Sequence, residues 1–103
     1  MGFREAKSAF IDALRDGRVE SEPREAQAEK NLLAVGAVSL PEVADLIARC
    51  RGQQYSMSPH HLDPDITVHV FKPRRGCEGW YIKGYILESN AVFISVHMTE
   101  IQP

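Results

Sequence analysis

The sequence predicts an α+β fold in which about three N-terminal helices pack on one face of a small antiparallel sheet. Apolar residues recur at helical spacing in the first half of the chain, and after Gly52 the period becomes twofold as β-branched and aromatic residues replace helix formers. Helices followed by consecutive strands favour a layered α+β architecture. A length of 103 residues predicts one domain, spanning residues 1–103.

The first predicted helix begins at Phe3 and ends before Gly17, a residue type that commonly terminates helices. One apolar stripe runs along it, formed by Phe3, Ala6, Phe10, Ala13 and Leu14. A second helix is predicted over residues 21–36, with Ser21 as N-cap and Pro23 in its first turn. Together with the next helix, these segments would cover the sheet.

The third predicted helix follows Ser39, which stands three residues before Glu42 in a capping box. Gly52 lies beyond its end. After it, the alternation predicts strands at roughly residues 53–58, 66–73, 80–88 and 91–99. Turn formers in "PHHLDPD" and "PRRGCEG" predict the connecting loops.

A turn at residues 88–90 that pairs Leu87 with Ala91 predicts which side chains share a face of the last two strands. It sets Tyr81 opposite His97, Lys83 opposite Ser95, and Tyr85 opposite Phe93. The preceding hairpin would set Phe71 opposite Tyr81 and His69 opposite Lys83. We expect this face to point away from the helices.

The reverse face is predicted to be the core face, since a sheet with one covered side alternates apolar and polar positions. Its expected members are Ile66, Val68, Val70, Trp80, Ile82, Ile86, Val92, Ile94, Val96 and Met98.

The predicted outer face carries groups suited to cleaving RNA without a metal. That reaction needs a base for the 2′-hydroxyl proton, a cation to stabilise the phosphorane and an acid for the leaving 5′-oxygen. His97 suits either proton role near neutral pH, Tyr81 can donate a proton, and Lys83 can hold the charge. Aromatic side chains interleaved with cations also form stacking platforms for unpaired bases. The alternative is a purely structural role, in which these aromatic residues are ordinary cross-strand neighbours on a solvent-exposed face.

Residues from about 10 to 98 resemble the MqsR-type toxins of bacterial toxin-antitoxin systems, which belong to the wider RelE-like ribonuclease fold. The segments that carry the resemblance are "ALRDGRVE", "YSMS", "VHVFKPR", "WYIKG" and "AVFISVH". The resemblance implies a RelE-like fold and an mRNA-cleaving toxin that needs no metal or other cofactor and is inhibited by a cognate antitoxin protein.

Carried over position by position, the family's catalytic tyrosine falls on Tyr81 and its strand lysine on Lys83. Its C-terminal catalytic lysine falls on His97, a change that preserves proton transfer while altering charge. A further lysine falls on Ser56, and a glutamine falls on Val68 or, if the alignment shifts by one, on His69. We therefore expect Tyr81, His97, Lys83 and His69 to be the catalytic residues, with Ser56 at a substrate-binding position.

Basic residues beside these strands are candidates for holding the RNA backbone. Lys72, Arg74 and Arg75 lie in the "KPRR" turn, and Tyr85 is a candidate for stacking on or orienting the substrate. The formal net charge is −2, which gives little overall electrostatic attraction to a polyanion, but the bases slightly outnumber the acids in the second half of the chain. The predicted RNA contact is therefore local, with mRNA, free or on ribosomes, as the expected partner.

A different class of function is a non-catalytic module that keeps the fold and binds a protein or single-stranded RNA. Serine and valine at two of the family's catalytic positions, Ser56 and Val68, favour it, as does the acidic balance. An exposed last strand would also allow pairing with a second copy, a possible homodimer.

Other chemistry has weaker support. "HHLDPD" contains zinc- and iron-type ligands, but adjacent histidines such as His60 and His61 point opposite ways in an extended segment, so no metal site is predicted. Cys50 and Cys77 are expected to be free thiols, and Cys77, beside an acid, is not obviously activated. With no apolar run long enough to span a membrane and no signal-peptide core, we expect a cytoplasmic protein with no membrane partner.

Overall fold

A computed structural model describes residues 1–22 and 31–101, and over these residues it has an α+β architecture with two α-helices and a six-stranded sheet. The helices are α1 (Phe3–Asp16) and α2 (Leu40–Arg49), and a 3-10 turn covers Gly52–Gln54. The strands are β1 (Val19–Ser21), β2 (Tyr55–Pro59), β3 (Thr67–Phe71), β4 (Arg74–Arg75), β5 (Glu78–Leu87) and β6 (Asn90–Ile101). No helix in the described part of the chain is long and apolar enough to cross a membrane.

The first and third predicted helices are confirmed, and local sequence explains both. α1 ends at Gly17, whose φ of 74° lets its N–H reach the carbonyls of Ala13 and Leu14. α2 begins after Ser39, whose hydroxyl accepts the backbone N–H of Glu42 at 3.2 Å. Both helices pack their apolar stripes on the same face of the sheet.

The helix predicted over residues 21–36 is not confirmed: residues 23–30 lie outside the described residues, and neither described end is helical. Ser21 belongs to β1, and residues 32–36 form turns. On either side of residues 23–30 the backbone bonds to β6, since the Glu22 N–H donates to the Phe93 carbonyl at 3.0 Å and the Leu32 N–H to the Val96 carbonyl at 2.7 Å.

The sheet is mixed, whereas a wholly antiparallel sheet was predicted. Its strand order is β1-β6-β5-β3-β2, with β4 paired to β5, and β1 runs parallel to β6. β6 pairs with β5 along one edge, and along its other edge it pairs with β1 and forms an isolated bridge from Val96 to Asn31. Over Ala91–Phe93 and at Val96, β6 is therefore not the exposed last strand that the sequence suggested for self-pairing.

The β5–β6 hairpin turns through two residues, Glu88 and Ser89, with φ of 51° and 70°. Leu87 therefore pairs with Asn90, and the predicted pair with Ala91 is wrong. Positive φ at both turn positions matches the twist of the flanking strands, whereas a two-residue turn of type I or II would splay them. Tyr85 consequently faces Val92, and its predicted pairing with Phe93 is also wrong.

A bulge then restores the predicted register further along the hairpin. Gly84 pairs with Phe93 but Lys83 pairs with Ser95, so Ile94 is the extra residue. Beyond the bulge, the predicted pairs Lys83–Ser95 and Tyr81–His97 are confirmed.

β3 is displaced by one residue from its predicted register on β5. His69 pairs with Gly84 and Phe71 with Ile82, whereas Lys83 and Tyr81 were the predicted partners. Because side chains alternate between faces, this slip exchanges the two faces of β3. His69 and Phe71 consequently face the helices, where both contact Phe10.

Apolar side chains form two clusters, one on each face. The main core lies between the sheet and the helices and includes Trp80, Ile82, Val96 and the unpredicted Phe93. The smaller cluster lies on the opposite face, where Val68, Tyr85, Val92 and Ile94 pack with Ile66. The predicted core face is therefore right for β5 and the end of β6, but wrong for β3 and the start of β6.

Candidate functional site

We call the sheet face opposite the helices the outer face, and its pairing places several predicted site residues side by side. Ser56 pairs with Val70, Val70 with Lys83, and Lys83 with Ser95. These four residues form one row across β2, β3, β5 and β6. Tyr81 and His97 form the neighbouring pair, two residues along, which is about 7 Å in an extended strand.

The Tyr81 and His97 rings stack, with centroids 5.2 Å apart and planes inclined by 30°. The Ser95 hydroxyl lies 2.9 Å from His97 Nδ1, so a buried neighbour orients the imidazole. Lys72 Nζ lies over the Tyr81 ring, 5.9 Å from its centre. A half-buried phenol and imidazole are thus held together beside a lysine.

This pair is chemically capable of proton transfer. Imidazole exchanges protons near neutral pH, and a phenol can donate a proton or a hydrogen bond. Ser95 contacts the imidazole at Nδ1 and so sets the orientation in which the ring would exchange a proton with a ligand. Lys72 places positive charge over the Tyr81 ring, and Lys83 lies two residues from Tyr81 on the same face, as binding of an anion requires.

The remaining basic residues of the "KPRR" turn differ in position. Arg74 is exposed and lines a shallow recess together with Lys72, Tyr81 and Gln54. Arg75 instead forms ion pairs with Glu42 on α2 at 3.1 Å and Glu78 at 2.9 Å. Arg75 therefore ties the β4–β5 hairpin to α2, and it does not line the recess that contains Tyr81 and Arg74.

Glu78, one of the two carboxylates that pair with Arg75, is also bonded to Trp80. The indole N–H of Trp80 donates to Glu78 at 3.1 Å, and this bond, followed by the contact with Arg75, lowers the pKa of the carboxyl. The carboxylate thus stays charged and keeps Arg75 in the hairpin.

His69, expected among the catalytic residues, lies on the helix side of the sheet and is 2% exposed. Its Nδ1 lies 2.6 Å from the Tyr55 hydroxyl, and its ring packs edge-on against Phe10. Burial, and then the positive N-terminal amino group, lowers the pKa of His69, which disfavours the charged form of the ring beside the Tyr55 hydroxyl. The sheet separates it from Tyr81 and His97.

Tyr85 is also placed differently from its expected substrate contact. It is buried in the smaller cluster, and its hydroxyl donates to Glu22 Oε1 at 3.0 Å. The same oxygen lies 2.8 Å from Nε2 of His60, whose ring contacts Tyr85 edge-on. Tyr85 therefore joins a buried network in the outer-face cluster.

His60 and Glu22 are members of this network that the sequence did not reveal. His60 Nδ1 accepts the backbone N–H groups of Leu62 and Asp63, so Nε2 carries the proton and donates to Glu22. Glu22 is 38 residues from His60 and 63 from Tyr85, and no local pattern links them. Val68, which the sequence resemblance aligns with a catalytic glutamine, is buried in the same cluster.

Metal binding and cysteine chemistry were the other candidates raised by the sequence. No group of three or more His, Cys, Asp or Glu side chains in the described residues is arranged to hold a metal ion. Both cysteines are free thiols, as expected. Cys77 is exposed in the β4–β5 turn, and burial raises the pKa of the Cys50 thiol.

No protein-family model matches this chain, and neither does any curated protein. The inference of function consequently depends on the residues of the outer face.

Proposed function

We propose that the protein is a metal-independent endoribonuclease of the RelE-like, MqsR type, a toxin that cleaves mRNA and is neutralised by a cognate antitoxin. The observation that carries the catalytic part is the Tyr81–His97 pair, stacked at 5.2 Å with Lys72 over the phenol and Lys83 on the same face. The toxin and antitoxin assignments, and the RelE-like fold, follow from the sequence resemblance.

In the proposed reaction, His97 and Tyr81 divide the two proton transfers. One removes the 2′-hydroxyl proton, the 2′-oxygen bonds to phosphorus, and the bond from phosphorus to the 5′-oxygen breaks. The other protonates the leaving 5′-oxygen, which leaves a 2′,3′-cyclic phosphate and a 5′-hydroxyl. Lys83 and Lys72, with Arg74, stabilise the charge that develops on the phosphorane.

The test is incubation of purified protein with a long single-stranded RNA in EDTA, beside Tyr81→Phe and His97→Ala. We expect cleavage by the wild-type protein in EDTA and a loss of about 10²–10⁴-fold in each variant, as for removal of a general acid or base. His61→Ala, which removes an exposed histidine outside the outer-face site, should cleave like the wild type. Cleavage that persists undiminished in both site variants would contradict the proposal.

The second candidate is a non-catalytic module that binds single-stranded RNA or a protein through the same surface. It is favoured by Ser56, which is too short to replace a lysine and is separated from Lys83 by Val70, and by Val68, which is buried at another catalytic position of the family. Folded wild-type protein that binds RNA without cleaving it, with or without ribosomes, would select this function.

A further inference from the structure

A basic groove leads away from Tyr81 along the end of the sheet. We define it by Lys72, Arg74, Gln53, Gln54, Arg51 and Arg49. It consists of two shallow recesses: Tyr81 lines the first, Arg49 and Arg51 line the second, and both include Gln53, Gln54 and Arg74. The recesses are therefore continuous surface rather than separate cavities.

The groove is basic although the whole chain is slightly acidic. The chain has a net charge of −2, yet four cationic side chains and no carboxylate line the two recesses among the described residues. Arg49 is partly neutralised by Asp45 at 2.9 Å. Arg51 is exposed, and no described residue forms an ion pair with it. Such a local concentration of positive charge attracts a polyanion even when the whole protein is acidic.

The backbone fixes the groove beside the Tyr81–His97 pair. The Lys72 N–H donates to the Gln54 carbonyl at 2.8 Å, which joins the end of β3 to the 3-10 turn. The Gln54 side chain in turn accepts the Arg51 N–H at 2.9 Å. These two bonds connect Arg51, Gln54 and Lys72, so the three side chains start from neighbouring points at this end of the sheet.

We infer that this groove binds the phosphates of a single-stranded RNA on one side of the bond to be cleaved, so that the substrate is an oligonucleotide that extends past Tyr81 to Arg74 and Arg51. The inference rests on the proposed function, whose site it extends. Guanidinium groups bind phosphate oxygens in bidentate geometry, and exposed amides such as that of Gln53 can contact bases or sugars. Because Tyr81 lines only the first recess and Arg51 only the second, we expect a dinucleotide bound at Tyr81 and His97 to make no contact with Arg51.

The test compares wild type, Arg51→Ala and Arg15→Ala. Arg15 is an exposed arginine near the C-terminal end of α1, outside the groove, so the control makes the same change in charge. Binding of a 2′-O-methyl strand of about twelve nucleotides, within the range of single-strand sites, is measured by fluorescence anisotropy at several salt concentrations. Because 2′-O-methyl RNA cannot be cleaved by attack of its 2′-oxygen, binding is measured independently of catalysis.

We expect Arg51→Ala to raise Kd about 3–10-fold and to reduce the slope of log K against log salt by about 0.7, the value for one phosphate contact to a single strand. Arg15→Ala should match the wild type. In cleavage assays, Arg51→Ala should lower kcat/KM for a long RNA and leave cleavage of a dinucleotide unchanged.

Equal binding by Arg51→Ala and Arg15→Ala would overturn the inference. So would competition by polyglutamate of equal charge as effective as RNA, because the groove would then favour an acidic protein. If the proposed function is wrong but the groove does bind RNA, neither the wild type nor any variant will cleave RNA, while binding of the 2′-O-methyl strand will still depend on Arg51.

Discussion

At the residue scale, the two strand histidines show how the same side chain acquires different roles from the face on which it lies. His97 lies on the outer face, stacked on Tyr81 and oriented by Ser95. His69 is buried among aromatic rings on the helix face, and its ring is kept neutral by desolvation. Only His97 combines partial exposure with neighbouring cations, so the proton chemistry of the proposed site belongs to it and not to His69.

The buried His69 should make stability depend on pH. Its pKa in the folded protein is lowered from the ordinary value of about 6.5, so the unfolded chain takes up this proton first as the pH falls. The contribution of His69 to the free energy of unfolding is complete above about pH 6.5 and is lost as the pH falls through the lowered pKa. Urea unfolding at pH 7, 6 and 5 should show this loss.

The variant His69→Gln, which keeps an acceptor for Tyr55, should show a shallower fall in the free energy of unfolding over the same pH range. His61→Gln removes an exposed histidine and should retain the wild-type dependence. Parallel curves for wild type and His69→Gln would show that this group does not produce the effect.

At the element scale, the bulge in the β5–β6 hairpin determines which side chains reach the proposed site. Without the extra residue at Ile94, the pairing that starts at Leu87 and Asn90 would set Lys83 and Tyr81 against different partners. Gly84 lies at the bulge, where the backbone of β6 and the Phe10 ring approach closely. The hairpin thus depends on a residue without a side chain at this position.

Gly84→Ala should destabilise the protein by about 1–3 kcal/mol, the usual cost of overpacking. An added Cβ would lie 2.5 Å from the Val92 carbonyl oxygen and 3.2 Å from Cε1 of Phe10. Gly52→Ala is the matched control, because its Cβ would meet only Phe3 at 3.8 Å. Chemical denaturation compares the two, and equal stabilities would contradict the importance of this close approach.

At the scale of the whole molecule, residues distant in sequence organise the outer face. β1 adds to β6 in parallel, and Glu22, one residue beyond β1, then bonds to His60 and Tyr85. These contacts cover one end of the outer face with an apolar cluster, whereas the end that carries Tyr81 and His97 remains partly exposed. The covered end explains why Tyr85 is structural and Tyr81 is accessible to a ligand.

Glu22→Ala should lower the free energy of unfolding by about 2–4 kcal/mol, because two donors that are buried at His60 and Tyr85 lose their shared acceptor. Glu22→Gln keeps a carbonyl oxygen and should lose less. Glu20→Ala, an exposed change on β1, should have little effect. Thermal and urea unfolding measure the series, and a Glu22→Ala protein as stable as Glu20→Ala would contradict the role of the network.

By itself, the sequence determined α1, α2, the approximate positions of β2, β3, β5 and β6, and the face of β5 that carries Tyr81 and Lys83. Helical stripes, caps and twofold alternation are local, so a short segment contains the information. The tertiary structure alone decided the parallel addition of β1, the face on which His69 lies, the burial of Tyr85 and the link from Glu22 to His60. The physical reason is strand register. The two-residue turn, the bulged residue and the one-residue shift of β3 each move the side chains of a strand to the opposite face of the sheet. These registers depend on contacts between segments that are distant in sequence.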